Sequence, residues 1–259
     1  MSNNSMLTNI LEVSPIPAFK DNYIWLLRRG SHAVVVDPGD AVPVIEVLSN
    51  LALTLDVILI THHHSDHIGG VTELLHRWPA KVYAPRREHY EFPHTPVEEN
   101  DVVHLDTINL NLSVMEVPGH TLGHVAYYGA NYLFCGDTLF GAGCGRLFEG
   151  TPAQMYNSLQ RLAKLPKETA VYCTHEYTEH NLRFARTLDA NNPALASRQT
   201  STAVVRAANK PSLPSTIGLE LETNPFLRCD TSAIQLASGT KSTNPLDIFA
   251  AIREMRNHY

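Results

Sequence analysis

Short apolar runs alternate with turn residues and amphipathic stretches over the first two thirds of the chain. Ala33-Val-Val-Val36 is a compact β-branched run that stops at the turn sequence Asp37-Pro-Gly39. Val57-Ile-Leu-Ile60 is a second such run, and it ends at Thr61. Val71, Leu74, Leu75 and Trp78 recur at helical spacing and predict a short helix over 71–78. Strands are expected at Lys81–Ala84 and at Leu112–Val117, the latter closed by Pro118-Gly119. A hairpin is expected over 124–135, turning at Gly129-Ala130. Pro152 opens a helix predicted to run to about Leu165, with Met155, Leu159 and Leu162 on one face and proline in the tolerated first turn. Ala170–Cys173 is the last clear strand.

After His175 the pattern changes. Helices are predicted at 177–188, 194–209 and 245–258, joined by Pro/Ser/Thr-rich connections such as Pro211-Ser-Leu-Pro-Ser-Thr216. The pattern divides the chain into a β-rich layered domain over 1–175 and a smaller helical domain over 176–259, an α+β organisation. No tandem repeat interrupts this division.

Composition narrows the function. Twenty basic against 26 acidic residues in 259 give a net charge of −6, which argues against a general nucleic-acid binder. No run of about 18 apolar residues exists to span a membrane; Leu55–Ile60, the longest nearly apolar stretch, is strand-sized and broken by Asp56. The opening Met-Ser-Asn-Asn-Ser-Met lacks the basic and apolar regions of a signal peptide. Four scattered cysteines, none in a Cys-x-x-Cys pair, fit packed thiols in a reducing compartment. The expectation is a cytoplasmic protein, a monomer, with a small molecule as its partner. Histidine is the anomaly: there are 14, concentrated in a few short stretches.

The sharpest of these is Thr61-His-His-His-Ser-Asp-His67, set between a predicted strand and Gly69-Gly70 at a predicted helix start. His62 and His64 are two apart, so on extended backbone their rings leave on the same side, and His63 leaves on the other. Asp66 and His67 follow as the chain turns into the helix and can face a second centre. His120, Asp137 and His175 each sit just past a strand. Imidazoles and carboxylates in this mixture suit zinc foremost, and also iron or manganese, and suit calcium poorly. Seven donors exceed one tetrahedral site. They divide into His62, His64 and His120 at one centre and Asp66, His67 and His175 at another, with Asp137 shared. Two cations about 3.5–4 Å apart can hold a hydroxide between them at neutral pH. His124 reads as a packed, hydrogen-bonded histidine rather than a ligand.

These residues resemble the metallo-β-lactamase superfamily. Phe19-Lys-Asp-Asn-Tyr-Ile24, Gly119-His-Thr-Leu-Gly-His124, Phe134-Cys-Gly-Asp-Thr-Leu-Phe140, Gly143-Cys-Gly-Arg-Leu-Phe-Glu-Gly150 and Cys173-Thr-His-Glu-Tyr-Thr178 narrow the resemblance to its glyoxalase II (hydroxyacylglutathione hydrolase) family. The resemblance covers nearly the whole chain, through Pro214-Ser-Thr-Ile217, Thr223-Asn-Pro-Phe226 and the last helix. It implies a four-layer αββα sandwich followed by a helical glutathione-binding domain. It also implies hydrolysis of S-D-lactoylglutathione to glutathione and D-lactate, the second step of methylglyoxal detoxification, at a binuclear metal centre. Asp66 and Asp137 would be the catalytic carboxylates, with the bridging hydroxide as nucleophile. Arg146, Phe148, Tyr177, Arg253 and Arg256 occupy the positions that hold glutathione in the family. Some members have Lys and Tyr where this chain has Arg146 and Phe148, so the charge is retained and a hydroxyl is lost. The competing expectation on the same fold is a glutathione persulfide dioxygenase with a single iron.

Overall fold

The computed structural model describes residues 10–259, so the opening segment read above for a leader lies outside the described residues. Within it the chain forms two compact units, 10–116 with 125–130 and 117–124 with 131–259.

The first unit contains β1 (Glu12–Ala18), β2 (Asn22–Arg29), β3 (His32–Val36), α1 (Ala41–Asn50), β4 (Thr54–Leu59), α2 (Ser65–Ile68), α3 (Val71–Arg77), β5 (Lys81–Pro85), β6 (Thr95–Val97), β7 (Val102–Leu105), β8 (Leu110–Glu116) and β9 (Val125–Gly129). One sheet runs in the order β1-β2-β3-β4-β5-β6. Its first two joins are antiparallel and the rest parallel. Parallel strands are buried on both faces, which is why β3 and β4 read as continuous apolar runs rather than alternating ones. Several elements of this unit escaped the pattern, β1 and α1 among them. The sheet-edge strand β1 carries Pro15 and Pro17, tolerated there because an edge strand need not donate every N–H. Helix α1 is rich in valine, a residue of low helix propensity, and is secured by Asp40, whose carboxylate accepts from Val42 N at 2.9 Å. Strands β7, β8 and β9 form an antiparallel meander. From β9, the buried Tyr127 hydroxyl donates to Ile60 O at 2.8 Å, and Val125 N donates to Thr61 O at 2.9 Å. Both bonds fix the backbone that leaves β4, immediately before the histidine run.

The second unit contains β10 (Tyr132–Gly136), β11 (Leu139–Phe140), β12 (Gly143–Cys144), α4 (Pro152–Leu162), β13 (Ala170–Cys173), α5 (Thr178–Leu188), α6 (Pro193–Ala207), β14 (Ser215–Thr216), α7 (Ile217–Thr223), α8 (Ser232–Ala237) and α9 (Pro245–Asn257). Strand β13 pairs parallel with β10 and antiparallel with β14, and β11 with β12 makes a two-stranded hairpin. A reciprocal capping box between Thr151 and Gln154 starts α4. The helix stops at Leu162, short of the predicted Leu165. Lys164 and Leu165 donate three residues back instead of four, ahead of Pro166. Buried Phe184, Phe226 and Phe249 pack in series, with ring centroids 6.3 and 5.8 Å apart. All four cysteines are buried and none forms a disulfide, and burial pushes the Cys229 thiol up to about 12. No helix among the described residues is long and apolar enough to cross a membrane.

Ile58, fully buried at the centre of the first sheet, tests this packing. Ile58→Ala should cost about 2–5 kcal/mol in urea unfolding. Leu236→Ala, at a residue 86% exposed, should stay within about 0.5 kcal/mol.

Candidate active site

In the first unit the chain leaves β4 into the histidine run. His64 is extended (φ −61°, ψ 145°) at the mouth of α2, and Asp66 and His67 lie in that helix. His62 Nε2 and His64 Nδ1 stand 3.0 Å apart. Two nitrogens each about 2.0–2.1 Å from one cation come within about 3–3.5 Å of each other. The His62 and His67 ring centroids are 4.0 Å apart, and His67 Nε2 lies 3.7 Å from Asp66 Oδ2. His63 meets Glu88 instead, at 3.3 Å, as alternation along extended backbone requires.

Two residues that the sequence reading gave no role orient these donors. Asp37, 2% exposed, accepts from Thr61 N at 2.8 Å, Thr61 Oγ1 at 2.7 Å and His67 Nδ1 at 3.0 Å. A carboxylate in that position fixes the ring proton on Nδ1 and leaves Nε2 unprotonated. Asp37 itself is left-handed, φ 53°, a conformation that Asp tolerates better than most residues. Asn22 Nδ2 donates to Asp66 Oδ2 at 3.0 Å. Gly39 is glycine because a Cβ there would lie 1.9 Å from Asp66 O. The strand register held a clue to Asp37: Val36 lies opposite Leu59, so the next residues, Asp37 and Ile60, leave neighbouring strand ends together.

The second unit presents His120, Asp137 and His175, 3%, 6% and 6% exposed. His120 Nδ1 donates to Arg146 O at 2.7 Å, which leaves its Nε2 3.4 Å from Asp137 Oδ2. His175 Nε2 lies 3.3 Å from the same oxygen. One carboxylate oxygen thus stands between two imidazoles. Asp137 N donates to the buried His124 Nε2 at 3.1 Å, so His124 is packed and hydrogen-bonded. Tyr177 stacks on His175 with centroids 4.7 Å apart and planes 3° from parallel, while Phe140 meets both rings edge-on.

His120 and Asp137 also line a cavity of about 300 Å³ in this unit. Arg146, Phe148, Tyr177, Arg253 and Arg256 all line it, beside Cys144, Asn181 and Asn257. Arg253 is 6% exposed; it donates to Cys144 O at 2.9 Å and Asn257 Oδ1 at 3.2 Å, and lies over the Phe226 ring at 5.2 Å. Arg256 donates to Asn181 Oδ1. Burial first, and then the neighbouring Arg253 charge, hold its guanidinium below the ordinary arginine value, and it remains a cation at neutral pH. The Phe148 ring is 61% exposed, stands edge-on to His120 at 5.2 Å and lies under the Arg146 guanidinium at 5.7 Å. Such a cavity suits an anionic ligand. Cys144 is an inert neighbour, because burial raises its pKa and Arg253 only partly offsets this.

Imidazole and carboxylate donors of these two sets are of the kind that holds a divalent metal ion. Burying such groups, as His62, His67, His120, Asp137 and His175 are buried, is costly unless a cation or hydrogen bonds compensate. The family described as metallo-beta-lactamase superfamily matches residues 19–175, and the one described as hydroxyacylglutathione hydrolase C-terminus matches 176–259. The hydroxyacylglutathione hydrolase of Methylobacillus flagellatus is 60% identical, over 96% of this chain and 100% of its own. That of Dechloromonas aromatica is 51% identical, over 96% and 100%. Among solved structures, TTHA1623 in a di-iron-bound form is 26% identical with a TM-score of 0.62, covering 83% of this chain and 100% of its own. The strands of the first two thirds and the helices that follow are therefore those of a metallo-β-lactamase fold with a helical C-terminal part, and the chain belongs to the hydroxyacylglutathione hydrolase family of that superfamily.

Proposed function

We propose that this protein hydrolyses the thioester S-D-lactoylglutathione, and 2-hydroxyacylglutathiones as a class, to glutathione and the free hydroxy acid, in the second step of methylglyoxal detoxification. The observation that carries the reading is the cavity of the second unit. Asp137 Oδ2, within 3.4 and 3.3 Å of two imidazole nitrogens, shares it with Arg146, Arg253 and Arg256. A hydrolytic donor set and an anion-binding set thus serve one ligand.

His62, His64 and His120 would hold one divalent cation and Asp66, His67 and His175 a second, with Asp137 common to both. Zinc suits this set, and iron does too, as the di-iron form of TTHA1623 illustrates for that protein. Such cations, when bound, acidify an attacking water and stabilise negative charge developing on the thioester carbonyl oxygen. The chain's own groups do the rest. Asp37 and the Arg146 carbonyl hold the His67 and His120 rings in the tautomer with Nε2 unprotonated. Asn22 orients the Asp66 carboxylate, which in turn orients the attacking water. Arg253 and Arg256 hold the substrate's carboxylate end, with Arg146 and the Phe148 ring at the same cavity and Tyr177 braced against His175. The leaving group is a thiolate whose conjugate acid has a pKa of about 8.5. It needs no side-chain acid, and none is required at the scissile sulfur. A single-iron persulfide dioxygenase needs only a facial triad with open positions. It leaves the remaining donors without a role, and the relatives at 60% and 51% identity are hydrolases by name. We further propose a cytoplasmic monomer, a location that the four buried cysteines held outside any disulfide support.

The direct test is loss of thioester absorbance with S-D-lactoylglutathione. Chelation should abolish turnover, and zinc or iron should restore it; full activity in metal-free protein refutes the reading. Asp37→Asn should weaken metal binding about 10–100-fold in a chelator competition, with the far-ultraviolet dichroism unchanged. Arg253→Ala or Arg256→Ala should raise KM about tenfold with kcat little changed, because these groups bind ground and transition states alike.

A further inference from the structure

Asn181, on α5 and 5% exposed, is an uncharged cavity side chain that the proposed reaction does not use. Its amide serves two partners at once. Nδ2 donates to Gly141 O at 3.0 Å, and Oδ1 accepts from Arg256 Nε at 3.4 Å and Nη2 at 3.2 Å. Gly141 lies in the turn between β11 and β12, which carries Phe140 against His175 and Tyr177. Gly143 is glycine for the same contact, since a Cβ there would lie 2.3 Å from Asn181 Nδ2.

An amide is suited to this place because it donates and accepts together. Aspartate, nearly isosteric, would set a carboxylate oxygen against the Gly141 carbonyl and would cancel the Arg256 charge. Arg253 is treated alike, since its acceptors, Cys144 O and Asn257 Oδ1, are neutral. Among the described residues neither guanidinium has a carboxylate partner. We infer that Asn181 is a charge-sparing positioning residue. It locks Arg256 to the β11–β12 turn while leaving its positive charge uncompensated for a ligand carboxylate. The inference rests on the reading that this cavity takes the peptide end of a glutathione thioester.

The experiment is steady-state hydrolysis of S-D-lactoylglutathione by wild type, Asn181→Ala and Asn181→Asp at low and high ionic strength, with metal content and thermal melts measured alongside. Wild-type KM should rise with salt, as screening weakens attraction to the guanidinium. Asn181→Ala should raise KM about tenfold with kcat and the salt dependence retained, because the charge is present but unpositioned. Asn181→Asp should raise KM at least as much and flatten its salt dependence, because the charge is cancelled. A variant that folds and binds metal with wild-type KM overturns the inference, as does an Asn181→Asp protein with the wild-type salt dependence. Should Asn181→Asp not fold, Asn181→Ala decides alone, and an unchanged KM there overturns it. Failure of wild type to cleave the thioester would instead overturn the functional reading.

Discussion

A single buried carboxylate organises the donor half of the first unit. Asp37 accepts from both Thr61 groups and from His67. A carboxylate with so little access to water is tolerable only when its lone pairs are met. Meeting them fixes three things: the backbone entering the histidine run, the tautomer of His67 and the direction of its Nε2. Tyr127 and Val125 hold the same stretch from the meander side. The histidine run is therefore positioned by bonds to backbone and carboxylate.

The second unit solves a different problem, because its cavity wall is a short hairpin with few ladder bonds of its own. Side chains from the helical segments supply the missing partners. Asn224 Nδ2 donates to Phe140 O and Gly143 O, Asn181 to Gly141 O, and Arg253 to Cys144 O, while Glu220 accepts from Ala142 N at 2.8 Å. Every residue from Phe140 to Cys144 is thus held by a side chain. Glu220 is in turn paired with Arg198 at 2.6 Å, both buried. Such a network specifies one conformation, because losing any member leaves a buried polar group unmet. The helical segment consequently supplies more than cavity-lining arginines, since it also shapes the wall that carries Phe140.

How much of this could be read beforehand depended on range. The buried runs of β3 and β4, the amphipathic helices α3 and α4, and the strand β13 were legible because their signals are local and periodic. The ligand candidates were legible because a dense His/Asp motif is chemically unusual. Valine-rich α1 and proline-bearing β1 were not, since capping and edge position decided them rather than propensity. Asp37, read only as part of a turn, and Asn22, noticed only within a motif, act on side chains 30 and 44 residues away. Asn181 was invisible altogether, because its value lies in donating to one partner and accepting from another. A side chain whose role is set by long-range hydrogen bonding leaves no periodic trace.

The two ends of the second unit's cavity carry opposite imbalances, and that contrast points to the ligand more firmly than either end does. At one end a buried carboxylate oxygen lies within 3.4 and 3.3 Å of two imidazole nitrogens, an arrangement that favours a cation. At the other, two guanidiniums are held by a carbonyl and two side-chain amides, an arrangement that favours an anion. A pairing of Arg with Asp, common on protein surfaces, would have satisfied both within the protein and left little net attraction for a ligand. Keeping them apart retains a positive field at one end of the cavity and an oxygen suited to a cation at the other. The molecule matched to that cavity has a carboxylate at one end and an electrophilic carbonyl at the other, which is the layout of an acylated glutathione.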